Sequence, residues 1–194
     1  MSRISSSGGK PLPWALECIA FNDAVLKWLE KNKNVTTIVL STSFGVIESD
    51  IIVRDGRIFK KNQNHDILLK YFEETISTLR DKGKDVVIFS PTPSNGENMG
   101  LCLSKAELFD SNPDRCSFLI DDIEKSRQTG FKLLKQISKN TPVVWLDKLI
   151  CEGKVCDFYQ DNTIIYMDSG HLSKEGSKYI GKKYNFFDLA LANK

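Results

Sequence analysis

Runs of apolar residues alternate along the chain with segments in which apolar residues recur at helical spacing. Residues 35–40, 85–89 and 142–146 are short, apolar and rich in β-branched side chains, which predicts three buried strands. Residues 64–82 and 119–139 instead place their apolar side chains on one face of a helix. Strands that alternate with amphipathic helices predict an α/β fold in which a parallel sheet is covered on both faces.

The remaining segments extend this pattern towards both ends of the chain. Residues 1–16 are rich in Ser, Gly and Pro and have no hydrophobic period, which predicts a loop. Asn22 or Asp23 is predicted to cap the first helix, and Asp55-Gly56 to lie in a short hairpin. Residues 164–167 form an apolar run that predicts one more short strand, followed by a final helix.

The composition is that of an ordinary globular domain. The 194 residues are 41% hydrophobic and 27% charged, so we expect a single domain over residues 1–194. Positive and negative residues are interspersed and the net charge is +2, which predicts a solvated surface and no nucleic-acid partner. No apolar stretch approaches the length of a membrane span, and residues 1–10 lack the apolar core of a signal peptide.

The five cysteines show no metal-ligand spacing. Cys151 and Cys156 would close a short loop if they formed a disulfide, and Cys102 and Cys116 bracket another irregular segment. In an oxidising compartment one cysteine would then be left over. The alternative, that some of them are simply small buried apolar residues, stays open.

Candidate chemistry concentrates in residues 168–171, Asp-Ser-Gly-His, between the last short strand and the last helix. A carboxylate that orients an imidazole is the usual equipment of general-base catalysis. The exits of two predicted strands, residues 41–45 and 90–96, should lie on the same rim, because the carboxyl ends of parallel strands meet at one edge of the sheet. The alternative is that Asp168 and His171 form a hydrogen-bonded pair that only stabilises a loop.

Other polar residues have simpler interpretations. Ser173 is predicted to be a helix N-cap, and His65, which lies between Asn64 and Asp66, a solvated residue near a helix start. The chain contains no Gly-rich phosphate loop, dinucleotide fingerprint or metal-ligand cluster. We therefore expect neither a cofactor nor a metal.

The stretch Asp168-Ser169-Gly170-His171-Leu172-Ser173, with Gly176-Ser177, resembles the last motif of the SGNH hydrolase superfamily. It is most similar to the periplasmic SGNH domain of membrane-bound acyltransferases that O-acetylate bacterial surface polysaccharides. Weaker similarities occur in the same order at residues 18–26, 86–94 and 102–103, and at the Cys151/Cys156 pair. The resemblance implies a three-layer α/β/α fold with a flavodoxin-like parallel sheet.

The resemblance also implies roles for individual residues. His171 would be the general base and Asp168 its orienting partner. The oxyanion-hole residues of the family correspond loosely to two glycines and two hydroxyl residues of this chain, namely Gly8, Gly9, Thr42 and Ser43.

The chain departs from the family at the nucleophile. The family's serine stands in a Gly-Asp-Ser type motif directly after the first, central strand, and this chain has no such motif. The family's asparagine is likewise absent from the exit of the third strand. Either the chain is an N-terminal truncation or the downstream half of a split gene, without that strand and serine, or it uses an unrecognised hydroxyl of Ser5, Ser6 or Ser7. We favour truncation, because a nucleophile needs a strained, rigid turn and residues 5–9 resemble a flexible tail.

Two functions follow from this interpretation. The first is SGNH-type acyl transfer, by an O-acetyltransferase or acetyl esterase that acts on hydroxyls of a bacterial surface polysaccharide. The second is an inactive SGNH remnant or a carbohydrate-binding module that keeps the fold. The resemblance implies a polysaccharide or oligosaccharide acceptor, a membrane acyltransferase domain as partner, no cofactor and a periplasmic location.

Overall fold

A three-stranded parallel sheet lies at the centre of the protein, whose computed structural model describes residues 4–6, 12–42, 44, 50–53, 57–60 and 64–192. The strands are β1 (Ile4–Ser6), β2 (Thr37–Ser41), β3 (Ile51–Val53), β4 (Ile58–Phe59), β5 (Asp85–Phe89), β6 (Phe118–Leu119), β7 (Val143–Val144), β8 (Cys151–Glu152), β9 (Val155–Cys156), β10 (Tyr159–Gln160) and β11 (Thr163–Ile164). The helices are α1 (Leu12–Lys31), α2 (Asn64–Asp81), α3 (Met99–Leu108), α4 (Lys125–Ile137), α5 (Asp147–Ile150), α6 (Lys174–Lys183) and α7 (Phe186–Ala192).

The central sheet has the order β2-β5-β7, so that β5 is hydrogen-bonded on both edges. Val86 and Ile88 of β5 belong to a core cluster that also contains Leu29 of α1, Phe72 of α2 and Leu134 of α4. These three helices therefore cover one face of the sheet. A strand that is buried on both faces lacks the polar alternation of a half-exposed strand, which is why residues 85–89 are continuously apolar after Asp85.

The opposite face of the sheet carries a second core cluster. Val87 and Phe89 of β5 belong to it, together with Met99 of α3, Ile180 of α6 and Ala190 of α7. Successive side chains of β5 thus alternate between the two clusters, as the strand period requires. The predicted three-layer α/β/α arrangement around a parallel sheet is confirmed.

Three small antiparallel sheets surround the central one. Their orders are β1-β3-β4, β6-β9-β8 and β10-β11. The pairing of β3 with β4 agrees with the hairpin predicted around Asp55-Gly56, although residues 54–56 themselves lie outside the described part of the chain.

The prediction of a loop over residues 1–16 is wrong. Ile4–Ser6 form β1, and α1 already begins at Leu12, so that Asn22 and Asp23 lie inside this helix and are not its caps. Proline is tolerated in the first turn of a helix because the backbone N–H that it lacks has no partner there, and Pro13 therefore did not mark a loop. The buried residues Ala15, Ile19 and Leu29 recur at helical spacing along one side of α1.

The strand predicted at residues 35–40 is observed at Thr37–Ser41, but its predicted burial is wrong. Val39 is 49% exposed, because β2 is an edge strand that pairs with β5 alone among the described residues. Along it lies a mainly apolar cavity of about 270 Å³, which we call the edge groove. The groove is lined by Asn22, Val25, Leu26 and Leu29 of α1, residues 38–42, and Phe72, Thr75 and Leu79 of α2.

Other predicted boundaries also need correction. The helix predicted at 119–139 begins only at Lys125, because Leu119 pairs with Val155 in an antiparallel sheet. The strand predicted at 142–146 is reduced to Val143–Val144, and the backbone N–H of Leu146 donates to Ser90 Oγ at 2.8 Å. Of residues 164–167, Ile164 belongs to β11, which pairs with β10 and not with the central sheet.

Two disulfides close the irregular segments that the sequence marked. Cys102 of α3 is bonded to Cys116, which ends a 3₁₀ turn, and Cys151 of β8 is bonded to Cys156 of β9. Cys18 is the free cysteine. A disulfide stabilises mainly by restricting the unfolded chain, and the effect grows with the length of the loop that it closes.

Removing the disulfide that closes the longer loop, with the double variant Cys102→Ser/Cys116→Ser, should lower the free energy of unfolding by about 3 kcal/mol. Cys151→Ser/Cys156→Ser removes the disulfide of the shorter loop and should lower the free energy of unfolding by only about 2 kcal/mol, by the same relation. Urea unfolding without reductant measures both, with Cys18→Ser as the control that removes a thiol and no cross-link. Equal stability of the first double variant and the control would contradict the prediction.

Candidate active site

The loop of residues 167–171 is closed by its own backbone. Tyr166 and Leu172 form an antiparallel bridge, and the N–H of Met167 donates to the carbonyl of His171 at 2.9 Å. Tyr166 is buried and its hydroxyl donates to the carbonyl of Pro93 at 3.0 Å. Ser173 then caps α6 by accepting from the N–H of Gly176 at 2.8 Å, as predicted. The Asp-Ser-Gly-His segment is therefore held at both of its ends.

The carboxylate of Asp168 organises the inside of this loop. Its Oδ1 accepts from the backbone N–H groups of Gly170 and His171, each at 2.8 Å, and its Oδ2 lies 2.8 Å from Nδ1 of His171. The two backbone N–H groups and the His171 side chain hold the pKa of Asp168 at about 2. Hydrogen bonds that an ionised carboxylate accepts favour the ionised form. Asp168 is thus an anion at neutral pH.

The tautomer of His171 follows from this geometry. An ionised carboxylate is an acceptor only, so Nδ1 must carry the proton that it donates to Asp168. In the neutral ring Nε2 then carries the lone pair and is the atom able to accept a proton. No described residue forms a hydrogen bond with Nε2, and the His171 side chain is 79% exposed.

His171 faces a cavity of about 460 Å³ at the carboxyl ends of the central strands, which we call the rim cavity. Ser41 and Thr42 line it from the end of β2, and Ser90, Pro91 and Thr92 from the end of β5. The predicted meeting of the strand exits with residues 168–171 on one rim is therefore observed. The rest of the lining consists of Arg127, Leu146, Gly170, His171, Leu172 and Ser177.

The exit loop of β5 holds the His171 loop from the side. Thr92 Oγ1 donates to the carbonyl of Gly170 at 2.7 Å, and Ser94 Oγ donates to the carbonyl of Ser169. Ser94 is 2% exposed. These two hydroxyls therefore fix the position of the His171 loop relative to the end of β5.

Arg127 of α4 is a residue of the site that sequence reasoning missed. Its Nη1 donates to the carbonyl of Thr92 at 2.8 Å, and its Nε is paired with Glu124 at 3.1 Å. A Cβ atom added to Gly170 would lie 2.4 Å from Nη2, so Arg127 packs directly against the backbone of the His171 loop. A basic residue on a predicted amphipathic helix carries no signal that separates it from solvated lysines, and only the fold places it here.

The other predicted site residues are accounted for only in part. Thr42 lines the rim cavity with His171, whereas Gly8, Gly9, Ser43 and the alternative nucleophile Ser7 lie outside the described residues. Ser5 and Ser6 belong to β1 and pair with β3, so their backbone is part of a sheet and not the flexible tail that was predicted. His65 lies beside Asp66, with Nδ1 3.2 Å from its carboxylate, and does not line the rim cavity. Among the described residues no group of three or more His, Cys, Asp or Glu side chains is placed to hold a metal ion.

Comparisons with known proteins agree with this fold. The family model of the SGNH domain fused to AT3 domains matches residues 1–185. The chain also superimposes on the periplasmic domain of the lipopolysaccharide acetyltransferase of Salmonella ser. Paratyphi A, with a TM-score of 0.64 and 15% identity. That alignment covers 89% of this chain and 63% of the solved one, so this chain spans less than two thirds of that structure. No curated protein matches the chain, and no helix in its described part is long and apolar enough to cross a membrane.

Titration of Asp168 tests the hydrogen bonds of the loop. Because the folded state lowers the pKa of Asp168 from 3.8 to about 2, its ionisation stabilises the fold fully above pH 3.8. This stabilisation is lost as the pH falls towards 2. The ¹³C shift of the carboxyl group, assigned with Asp168→Asn, should report a midpoint near pH 2. A midpoint near the ordinary value would mean that the three hydrogen bonds are not formed in solution.

Two helical glycines test the packing beneath the loop. A Cβ atom on Gly100 of α3 would lie 2.2 Å from the carbonyl oxygen of Met167, whereas one on Gly181 of α6 would meet nothing within 4 Å. Gly100→Ala should therefore lower the free energy of unfolding by about 1–3 kcal/mol through overpacking. Gly181→Ala should raise it by up to about 1 kcal/mol through helix propensity. Chemical denaturation measures both, and changes of the same sign would contradict the close contact at Gly100.

Proposed function

The chain belongs to the family of SGNH domains that are fused to AT3 domains, and we propose that Asp168 and His171 are the base pair of its acyl-transfer reaction. The observation that carries the proposal is that His171 lines the rim cavity while its Nδ1 is fixed by an ionised carboxylate, which leaves Nε2 as the ring nitrogen able to accept a proton. This is the arrangement in which an imidazole removes a proton from a hydroxyl group. The reaction is an O-acetyl transfer or an acetyl-ester hydrolysis.

In this reaction Nε2 removes the proton from a hydroxyl group, and the oxygen of that hydroxyl group attacks the acyl carbonyl carbon. The Asp168 carboxylate stabilises the imidazolium that forms, and the proton then passes to the oxygen that leaves the donor. The donors that stabilise the oxyanion would be Thr42, which lines the rim cavity, together with Ser43, Gly8 and Gly9, as the resemblance implies. Arg127 and Thr92 hold the His171 loop in a fixed position relative to the ends of the central strands.

Five described residues with hydroxyl groups line the rim cavity, and none of them is hydrogen-bonded to His171. Ser90 Oγ accepts from Leu146 N–H and donates to the carbonyl of Pro91, and Thr92 Oγ1 donates to Gly170. Ser41, Thr42 and Ser177 also line the rim cavity, but none forms a hydrogen bond with His171. No described hydroxyl is thus placed as the partner of Nε2.

We propose that the nucleophile is carried by a further strand that pairs with the outer edge of β2. Such a strand would occupy the edge groove, which has an apolar lining and shares Ser41 and Thr42 with the rim cavity. If it runs parallel to β2, its carboxyl end reaches the same rim as His171. A serine just beyond that end would lie next to Thr42.

The acceptor and location are proposed from the relatives and the cysteines. The solved neighbour is a periplasmic domain of a lipopolysaccharide acetyltransferase, and two disulfides are typical of an oxidising compartment. We propose a periplasmic domain that acts on hydroxyls of a bacterial surface polysaccharide and works with a membrane acyltransferase domain. The lack of a described partner for Nε2 favours one alternative, a chain that keeps the fold and binds carbohydrate without catalysing transfer.

Hydrolysis of 4-nitrophenyl acetate by protein from its native source separates the two functions. His171→Ala should lower the rate by about 10²-fold or more, because general-base catalysis contributes about 10²–10⁴-fold. Asp168→Asn should also lower it, because the ring then loses its fixed tautomer. His65→Ala replaces the other histidine of the chain and should leave the rate unchanged. Equal rates for the wild type and His171→Ala would support the binding module.

Labelling with a fluorophosphonate, followed by mapping of the modified residue, identifies the nucleophile. We expect the label on a serine of the strand that pairs with β2. A label on Ser41 or Ser177 would show that the chain supplies its own hydroxyl at the rim cavity and would contradict the added strand.

A further inference from the structure

A third cavity, of about 610 Å³, lies between α4 and the segment that follows β7. Phe131 and Trp145 stack in its wall with their ring centroids 6.1 Å apart. Lys132, Lys135 and Lys148 also line it, and we therefore call it the lysine cavity. Its volume falls within the range of about 300–1,000 Å³ that is usual for small-molecule sites.

The three lysines of this cavity outnumber the two carboxylates in its lining, which are those of Asp121 and Asp147. Within the described part of the chain, none of them lies within 4 Å of an Asp or Glu oxygen. Asp121, in the same wall, is paired with Lys154 at 3.0 Å. Asp147 has its Oδ1 atom buried and without a hydrogen-bond partner among the described residues. Burial raises the pKa of Asp147, and the charges of Lys148 and Lys135 act on it in the opposite direction. The surface that a ligand meets is consequently cationic.

The aromatic part of the wall gives the cavity a second kind of contact. Trp145 is half-buried, and Lys148 Nζ lies 5.8 Å from the centroid of its ring. An aromatic ring packs against the apolar C–H groups of a sugar, while ammonium groups bind carboxylate or phosphate oxygens. The combination suits a sugar that carries an anionic group better than a neutral sugar or a purely apolar ligand.

The lysine cavity adjoins the rim cavity along the chain. Leu146 and Arg127 line the rim cavity, whereas Trp145, Asp147 and Gln128, their direct neighbours in sequence, line the lysine cavity. The linings of the two cavities are therefore adjacent along the chain in two separate segments, residues 127–128 and 145–147. An oligosaccharide, which is longer than one sugar residue, is the kind of ligand that could contact both cavities.

We infer that the lysine cavity is a subsite for an anionic sugar residue of the acceptor glycan, held by Lys132, Lys135 and Lys148 beside Trp145. The inference rests on the proposed function for the presence of a glycan at the rim cavity. The anionic group is a carboxylate or a phosphate, since ammonium groups bind both. The subsite selects the acceptor and takes no part in the proton transfers at His171.

Calorimetric titration with trigalacturonate, an anionic trisaccharide, tests the subsite, with the neutral maltotriose as the matched ligand. The wild type should bind trigalacturonate more weakly as salt rises, because salt screens the lysines. Lys132→Gln/Lys148→Gln should weaken this binding by at least about tenfold, since each variant side chain loses a charged hydrogen-bond donor. Lys70→Gln, an exposed lysine of α2, is the control and should bind like the wild type. Competition by monomeric galacturonate or by glucose 6-phosphate shows which anionic group is preferred.

The hydrolysis of 4-nitrophenyl acetate separates the subsite from the catalytic pair. The double lysine variant should hydrolyse 4-nitrophenyl acetate at the wild-type rate, because that small ester does not extend beyond the rim cavity. Equal binding of trigalacturonate by the wild type and the double variant would overturn the subsite. So would a wild type that binds maltotriose as tightly as trigalacturonate. Absence of binding to any anionic sugar would overturn it too, even with esterase activity intact.

Discussion

The hydrogen bonding of β5 on both of its edges is the constraint on which the other parts of the structure depend. It pairs with β2 along its whole length and with β7 at its end, and its side chains alternate between the two core clusters. A strand that is held on two edges and two faces has little freedom to move. The loop that leaves it inherits this rigidity, and Ser90, Thr92 and Ser94 use it to position Leu146 and the carbonyls of the His171 loop.

The candidate site combines a local element with a long-range one. Asp168 and His171 are three residues apart, and the hydrogen bonds that join them lie within a single loop. Their mutual geometry therefore needs few distant contacts. The position of the pair relative to the sheet depends on Thr92 and Arg127, which lie far from the pair in sequence. A base pair whose hydrogen bonds are local, and whose loop is held by the sheet, can keep its geometry even when other parts of an active site are lost.

The contrast between local and distant contacts also explains what the sequence could predict. The apolar run of β5, the amphipathic α2 and the Asp-x-x-His motif are signals contained in a few consecutive residues, and all three were recognised. The edge position of β2 was missed, because a β-branched run looks the same whether one or two strands flank it. Pro13 concealed the start of α1, since proline is compatible with both a loop and a first helical turn. Arg127 and the pairing of Phe131 with Trp145 depend on contacts between separate elements, which no local pattern records.

The side of β2 that pairs with no described strand has a consequence for the protein in solution. Thr37–Ser41 contains no charged residue and no proline, the devices by which natural sheets discourage pairing between edges. Within the described structure, the half-exposed Val39 and the apolar residues Val25 and Trp28 of α1 lie with little cover. An isolated copy thus presents a template on which a second copy can extend the sheet. Self-association that grows with concentration is the behaviour that this edge favours, and a strand laid along it would suppress that association.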